Sequence, residues 1–386
     1  MNRVIINVEA LYHNLRVIDS WITKAGIRWS LVTKVLCGHE PTIKALGELG
    51  VKSMADSRLA NLESIDRNVP GRESWYLRLP HLSAIERIVS LSDISLNSEI
   101  DTIQAINMEA ARQGKRHGIV IMIELGDLRE GILPGSLLKF YKQIFELSNI
   151  EVLGIGSNLG CLAGAVPNIE QYMQLSMYKE LLELKFGMKL PIISGGSSAV
   201  LPLLLDGSLP KSINHFRIGE SVFLGTEPVS GSVMPGLRDD VITAEAEIAE
   251  IKEKSLVPIG ETTEMTPFEL VSQEPIQPGQ RGYRAVVTIG QLDTEVGGLT
   301  PKNPNFQIAG ASSDLSVVNV GDEAGDLRVG DTIKFSPNYS ALLRLMSGQY
   351  VDKILTPSVE SIKKHSSMDL NVPSILEGIG ISTIPD

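Results

Sequence analysis

From about residue 29 to 225 the chain repeats one pattern eight times, a short apolar run followed by a stretch of helical periodicity. The runs are WSLVTK (29–34), KSMAD (52–56), WYLRL (75–79), DISLN (93–97), GIVIMIEL (118–125), VLGIGSN (152–158), PIISGG (191–196) and INHFRIG (213–219). Between them EPTIKALGELG and SEIDTIQAINMEAARQGK read as helices, the second opening with Ser98 and Asp101 at capping-box spacing. Eight strands each followed by a helix is the arithmetic of a (β/α)8 barrel. The structural alternative is a doubly wound open sheet with extra strands.

After Gly225 the texture changes. VITAEAEIAEIKEK and YRAVVTIGQLD read as extended segments, punctuated by Pro/Gly-rich stretches such as PIQPGQRG and GGLTPKNPN. A boundary near residues 226–240 divides the chain into a barrel domain, 1–230, and a mostly β domain, 231–386. A length of 386 residues suits two such units. The tail from Pro357 onward reads as partly helical or as a segment that docks on a neighbour.

A composition of 43% hydrophobic and 21% charged residues can bury a large aliphatic core and excludes a disordered chain. The formal charge of -11 is the wrong sign for wrapping a polyanion, so nucleic acid is not an expected partner. The N-terminal MNRVIINVEALYHNL has no signal-peptide pattern, and no apolar run reaches the roughly 20 residues that span a membrane. These features point to a cytoplasmic protein with no membrane partner. Two cysteines, Cys37 and Cys161, and six scattered histidines lack metal-ligand spacing, so no metal is expected.

In a barrel of this kind the chemistry sits where strands end and loops begin, with phosphate commonly held after strands seven and eight. Strand one ends at Lys34, where burial would lower its pKa and equip it to form a Schiff base or abstract a proton. The competing reading is an ordinary rim lysine that reaches solvent. Strand seven ends in SGGSSAV, whose paired glycines let backbone N–H groups approach an anion while Ser197 and Ser198 add hydroxyls. Strand eight ends in RIGES, where Gly219, Glu220 and Ser221 offer further N–H groups and Arg217 points into the mouth. Strand five ends in MIELGDLREGILP, which gathers Glu124, Asp127, Arg129 and Glu130; a guanidinium there suits bidentate recognition of a carboxylate. It reads equally as a solvated mixed-charge loop. A Schiff-base lysine, a phosphate cradle and an arginine over one barrel mouth describe pyridoxal phosphate handling a small-molecule amino-acid substrate.

The ordered set VEALYHNL, LVTKVLCG, ADSRLANLE, DISLNSEI, IELGDLREGI, GIGSNLGC, ISGGSSAVLPLL, INHFRIGESVFLG, IGQLD, GASSDL and NYSALL resembles the fold-type III pyridoxal-phosphate enzymes, most closely their alanine/ornithine racemase-like branch. The resemblance implies a barrel followed by a β domain, and a head-to-tail homodimer with shared active sites. It implies that Lys34 holds pyridoxal 5'-phosphate and acts as one racemisation base, and that Arg217 faces the pyridine nitrogen. Ser197, Ser198, Gly219, Glu220 and Tyr339 fall on phosphate-binding positions, with Ser221 beside them. Arg129 falls on a position that binds the substrate carboxylate, and Ser313 on one whose backbone N–H approaches that carboxylate from the second subunit. Asn158 stands where the alanine racemases carry a histidine in the sixth-strand loop. Gly290-Gln291-Leu292-Asp293 stands where they carry the tyrosine that serves as second base, and Cys37 lies in a segment one residue shorter than theirs.

These departures favour an amino-acid racemase, an isomerase of amino-acid metabolism, acting on ornithine or another basic amino acid rather than on alanine. Asp127 or Asp314 would answer the extra ammonium, while Asp293, Asp314 and Cys161 are the candidates for the missing base. The alternatives are a non-catalytic pyridoxal-phosphate carrier, against which the second domain counts, and an amino-acid decarboxylase, whose Glu-Pro-Gly-Arg segment is missing.

Overall fold

The computed structural model of the chain describes residues 2–160, 162–258, 260–261 and 279–365. The chain divides into two units, one of Tyr12–Lys34, Gly38–Leu237 and the segment from Val359, the other of the chain up to Leu11, Val35–Cys37 and Arg238–Ser358. The first strand is β1 (Arg3–Asn7), and it runs straight into the helix α1 (Val8–Lys24).

The larger unit is a closed barrel of eight parallel strands: β2 (Arg28–Val32), β3 (Ser53–Asp56), β4 (Glu73–Tyr76), β5 (Ile94–Asn97), β6 (His117–Met122), β7 (Ile150–Gly156), β8 (Ile192–Ser194) and β9 (His215–Ile218). Every one of the eight apolar runs overlaps a strand, and β2 pairs with β9 from Arg28↔His215 to Leu31↔Ile218 to close the ring. The helices α2 (Glu40–Glu48), α3 (Leu59–Asn68), α4 (Ile85–Leu91), α5 (Ile100–Arg112), α6 (Leu137–Ile144), α7 (Ile169–Phe186), α8 (Leu201–Leu205) and α9 (Glu220–Leu224) connect the strands or follow the last of them. The capping box expected at Ser98 and Asp101 does not form: α5 is preceded by Glu99 in extended conformation, with no side-chain cap. A capping box does form on α7, where Asn168 accepts from the Gln171 N–H at 3.0 Å and the Gln171 side chain answers the Asn168 N–H at 3.1 Å.

Val32, Ala55, Trp75, Leu96, Val120 and Ile192 belong to one buried apolar cluster, the low-dielectric medium through which the barrel's polar groups pass. Buried polar groups are ordinarily paired, and a chain of them here is. Trp75 donates to Glu73 at 2.8 Å, Ser53 donates to the same carboxylate at 2.7 Å, and Ser53 meets Ser30 at 2.7 Å. Ser30 meets His215 Nε2 at 3.1 Å, and His215 Nδ1 meets Ser194 at 2.9 Å. The His215 ring also stacks on Trp75 at 4.5 Å. Burial, reinforced by the charges of Arg217 and Arg28, holds the His215 pKa well below the ordinary histidine range, so the ring is neutral.

The smaller unit is an eight-stranded, mostly antiparallel sheet. Its strands are β1, β10 (Ile242–Ser255), β11 (Arg281–Val287), β12 (Leu299–Pro301), β13 (Gln307–Ala311), β14 (Ser316–Gly321), β15 (Thr332–Pro337) and β16 (Asp352–Thr356). Its main order is β12-β15-β10-β11-β14-β13, while β1 pairs antiparallel with β10 and parallel with β16. GGLTPKNPN, read as punctuation, contributes the short strand β12. Helix α10 (Tyr339–Ser347) follows β15, and α11 (Val359–His365) ends the described chain. Among the described residues no helix is long and apolar enough to cross a membrane, and no group of three or more His, Cys, Asp or Glu could hold a metal ion.

Candidate active site

Lys34 is not the last residue of a buried strand. β2 stops at Val32, and Lys34 opens a 3-10 turn as an exposed residue. Its placement comes instead from the residue before it. Thr33 donates its hydroxyl to Asp56 at 2.8 Å, and Asp56 also accepts from the Arg58 N–H at 3.0 Å and the Asn61 amide at 2.9 Å. Burial pushes the Asp56 carboxyl up, against these hydrogen bonds. Asn61 packs against Gly38, whose carbonyl accepts the Ser64 hydroxyl at 2.8 Å, so the ends of α3 and β3 grip both flanks of the lysine turn.

Strand β9 brings the second charge. Arg217 is buried and donates to the Ser194 hydroxyl, to the Ser157 carbonyl at 3.0 Å and to Asn158 Oδ1, all neutral oxygens. Asn158 in turn donates to Glu130, which pairs with Arg129 through Nε and through Nη2 at 2.6 Å. One polar chain therefore runs Arg129–Glu130–Asn158–Arg217–Ser194–His215 and on to Glu73. Burial raises the Glu130 pKa, but the Arg129 pair and the Asn158 bond outweigh it and the carboxyl sits below its ordinary range. Sequence reasoning placed Glu130 in the loop without a role; its adjacency to Arg129 was the available signal. Asp56 and Ser194 carried none beyond their positions at strand ends.

The rest of the β6 loop is held by its own acids. Glu124 accepts the N–H groups of Leu128 at 3.2 Å and Arg129 at 3.1 Å, with Leu128 in the left-handed region at φ 56°. Asp127 is buried and accepts the Leu162 N–H at 3.1 Å, tying this loop to the one after β7. Cys161, in that second loop, lies outside the described residues.

The two glycine-serine turns meet. Ser198 is buried and its Oγ accepts the Ser221 N–H at 3.2 Å, while Ser197 caps the short turn at Ala199. Gly219 leaves little room for a side chain: a Cβ there would lie 3.0 Å from the Val32 carbonyl at the end of β2. The Glu220 carboxyl accepts from Thr226 at 3.1 Å; burial pushes it up, while the Thr226 bond and the nearby Lys34 charge pull the other way. Lys34, the SGGSS turn and RIGES thus share one end of the barrel.

In the smaller unit, the GQLD turn packs on the Ser313–Asp314 loop. Gln291 and Leu292 donate backbone N–H groups to Ser312 and Ser313 carbonyls at 3.0 and 2.9 Å. Only glycine fits at 290, where a Cβ would lie 2.3 Å from the Ser313 carbonyl. Asp293 accepts the Gly290 N–H at 3.0 Å, and Asp314 is exposed and accepts the Ser313 hydroxyl at 3.0 Å. Tyr339, half-buried, begins α10 directly after its cap Asn338.

Among the described residues three buried side-chain atoms have no hydrogen-bond partner: Asn97 Oδ1, Ser157 Oγ and Tyr172 Oη. Ser157 adjoins the Arg217 contacts, and the Tyr172 hydroxyl stands 3.5 Å from where a Cβ on Gly196 would be, within reach of the Arg217 charge. Buried polar atoms left open beside a fixed cation suit a polar ligand.

Residues 6–227 match the family model described as alanine racemase, N-terminal domain. The chain is 36% identical over 356 residues to ornithine racemase of Acetoanaerobium sticklandii, covering 92% of this chain and 99% of that protein. It is 32% identical over 360 residues to lysine racemase of Thermotoga maritima, again covering 92% and 99%. Among solved structures it resembles alanine racemase from Bartonella henselae with covalently bound pyridoxal phosphate, with a TM-score of 0.69 at 16% identity over 92% of this chain and 99% of that one.

Proposed function

The chain belongs to the alanine racemase N-terminal domain family and is an amino-acid racemase; from that premise we propose that it holds pyridoxal 5'-phosphate on Lys34 and interconverts the enantiomers of ornithine or another basic amino acid. What carries the reading of the substrate is the pair of near full-length relatives named for ornithine and lysine. What supports the cofactor is the barrel mouth. The joined Ser197–Ser198 and Gly219–Ser221 turns suit a phosphate, and the unpartnered Ser157 and Tyr172 oxygens beside Arg217 suit a polar heterocycle.

Racemisation takes the α-proton from one face of the substrate and returns a proton to the other. Bound pyridoxal phosphate supplies the electron sink that acidifies that proton. Lys34 moves the proton at its Nζ on one face, its turn fixed by Asp56 through Thr33. Arg217, a permanent cation gripped by Ser194, Ser157 and Asn158, disfavours a second positive charge beside it, which restrains the sink and favours plain proton exchange. Arg129, oriented by Glu130, receives the substrate carboxylate, and Asp127 supplies negative charge to the same loop.

In this reading the enzyme is a homodimer, Tyr339 joins the phosphate cradle, and the Ser313–Asp314 loop of one protomer completes the barrel mouth of the other. Gln291 cannot titrate, so the opposite face needs another group. Of the two described carboxylates, Asp293 is committed to its own turn and Asp314 is exposed, which favours Asp314. The test is chiral analysis after incubating the pure protein with each common L-amino acid, together with the visible absorbance of wild type and Lys34→Ala. D-ornithine or D-lysine should form fastest and the absorbance should vanish in the variant. D-alanine as the preferred product would overturn the substrate class, and retained absorbance would overturn Lys34.

A further inference from the structure

Helix α7 is apolar on two opposite faces. Toward the barrel it buries Tyr172, Leu175 and Leu182; on the far side Ile169, Met173, Met177, Leu181 and Leu184 are exposed, Met177 at 64% and Leu184 at 87%. A surface helix needs only one apolar face and ordinarily covers the other with charge. Ile169, Met173, Met177 and Leu181 are spaced by four and form one continuous ridge along the helix, with Leu184 beside it. The five expose roughly 500 Å², at the upper end of what a monomer leaves open, and two such faces fully covered by each other would bury about 1,000 Å², the lower bound for a specific interface.

We propose that this ridge is a two-fold interface with α7 of a second copy of the chain, packed antiparallel about Met177. The proposal is independent of the racemase reading. A two-fold interface must be self-complementary, so residues equidistant from the axis must suit each other. Met173 faces Leu181, and Gln174 faces Glu180, whose carboxylate can accept its amide. Glu170 at one end is brought toward Lys185 at the other, whereas parallel packing would set Glu170 against its own copy. Antiparallel packing also opposes the helix dipoles. Ridges spaced by four on both helices interlock at a crossing angle of about −50°, and methionine at the crossing adapts to the partner's grooves.

The experiment is sedimentation velocity on the full-length holoprotein. Met177→Glu sets two carboxylates face to face on the axis and should halve the mass, from four chains to two with the head-to-tail dimer of the proposed function left in place, while Met177→Leu keeps it; circular dichroism and activity should match wild type in both. Glu170→Lys and Lys185→Glu should each weaken the assembly, and the double variant should restore it. Equal masses for wild type and Met177→Glu overturn the proposal, as does a monomeric wild type. A chain shortened to end at residue 365 that is heavier than the full chain would identify the chain's own C-terminal segment as the occupant, and also overturns it.

Discussion

Replacing Asp56 tests whether the lysine turn is held from behind. In Asp56→Ala the Thr33 hydroxyl, the Arg58 N–H and the Asn61 amide lose acceptors that lie at 2.8, 3.0 and 2.9 Å. Buried donors left unmet cost about 1–3 kcal/mol each, and relief of the buried charge offsets part of it, so the net loss should be about 3 kcal/mol. Asp56→Asn keeps an oxygen for Arg58 and Asn61 and can turn its amide to a rotated Thr33 hydroxyl, so it should cost about 1 kcal/mol. The sign of the pH effect follows from burial, which raises the folded-state pKa above 3.8. Asp56 then contributes most when protonated, below that value, and less as pH rises through its folded pKa. The advantage of wild type over Asp56→Asn should shrink in that direction. Urea unfolding followed by tryptophan fluorescence reads the barrel, since Trp21, Trp29 and Trp75 all lie in that unit. Turnover should fall about tenfold in Asp56→Ala, the equivalent of about 1.4 kcal/mol. Unfolding within 1 kcal/mol of wild type, with turnover intact, would refute the clamp.

Ser198→Asp should weaken cofactor binding far more than Ser198→Ala, because it sets a carboxylate against the phosphate; equal affinities by absorbance titration would refute the cradle. Glu130→Gln removes the charge that orients Arg129 and Asn158 and should lower kcat/KM at least about tenfold, and an unchanged value would remove Glu130 from the site. His117 is buried, which lowers its pKa from 6.5 to about 3, so it should stabilise the fold above 6.5 and lose that contribution as pH falls toward 3. Proton–nitrogen correlation spectra should show neutral rings for His117 and His215 from pH 8 to 5, and titration of either in that window contradicts the buried network. Asp314→Asn should slow solvent-deuterium exchange from one enantiomer much more than from the other, whereas equal losses exclude it as the second base.

Sequence periodicity determined the eight strands and their order, and the change of texture after Gly225 announced the β-rich remainder. Both are local signals: an apolar run bounded by turns reads as a strand wherever it lies. The same holds for the glycine-serine turns, since small residues and hydroxyls at two strand ends can be recognised without knowing that the ends meet. Lys34 was singled out by position, but its exposure was not legible, because whether a strand stops at Val32 or at Lys34 depends on pairing with neighbours. The place of β1 was equally hidden, since RVIIN suits any sheet and only β10 and β16 decide which one it joins. The polar chain through the barrel is the clearest case. Ser30, Ser53, Glu73, Ser194, His215 and Arg217 are scattered over almost 190 residues with no spacing in common, and apart from Arg217 each alone is an unremarked polar residue in an apolar strand. Closing eight parallel strands into a ring turns them toward one interior, where the cost of burying any of them unpaired forces them into contact.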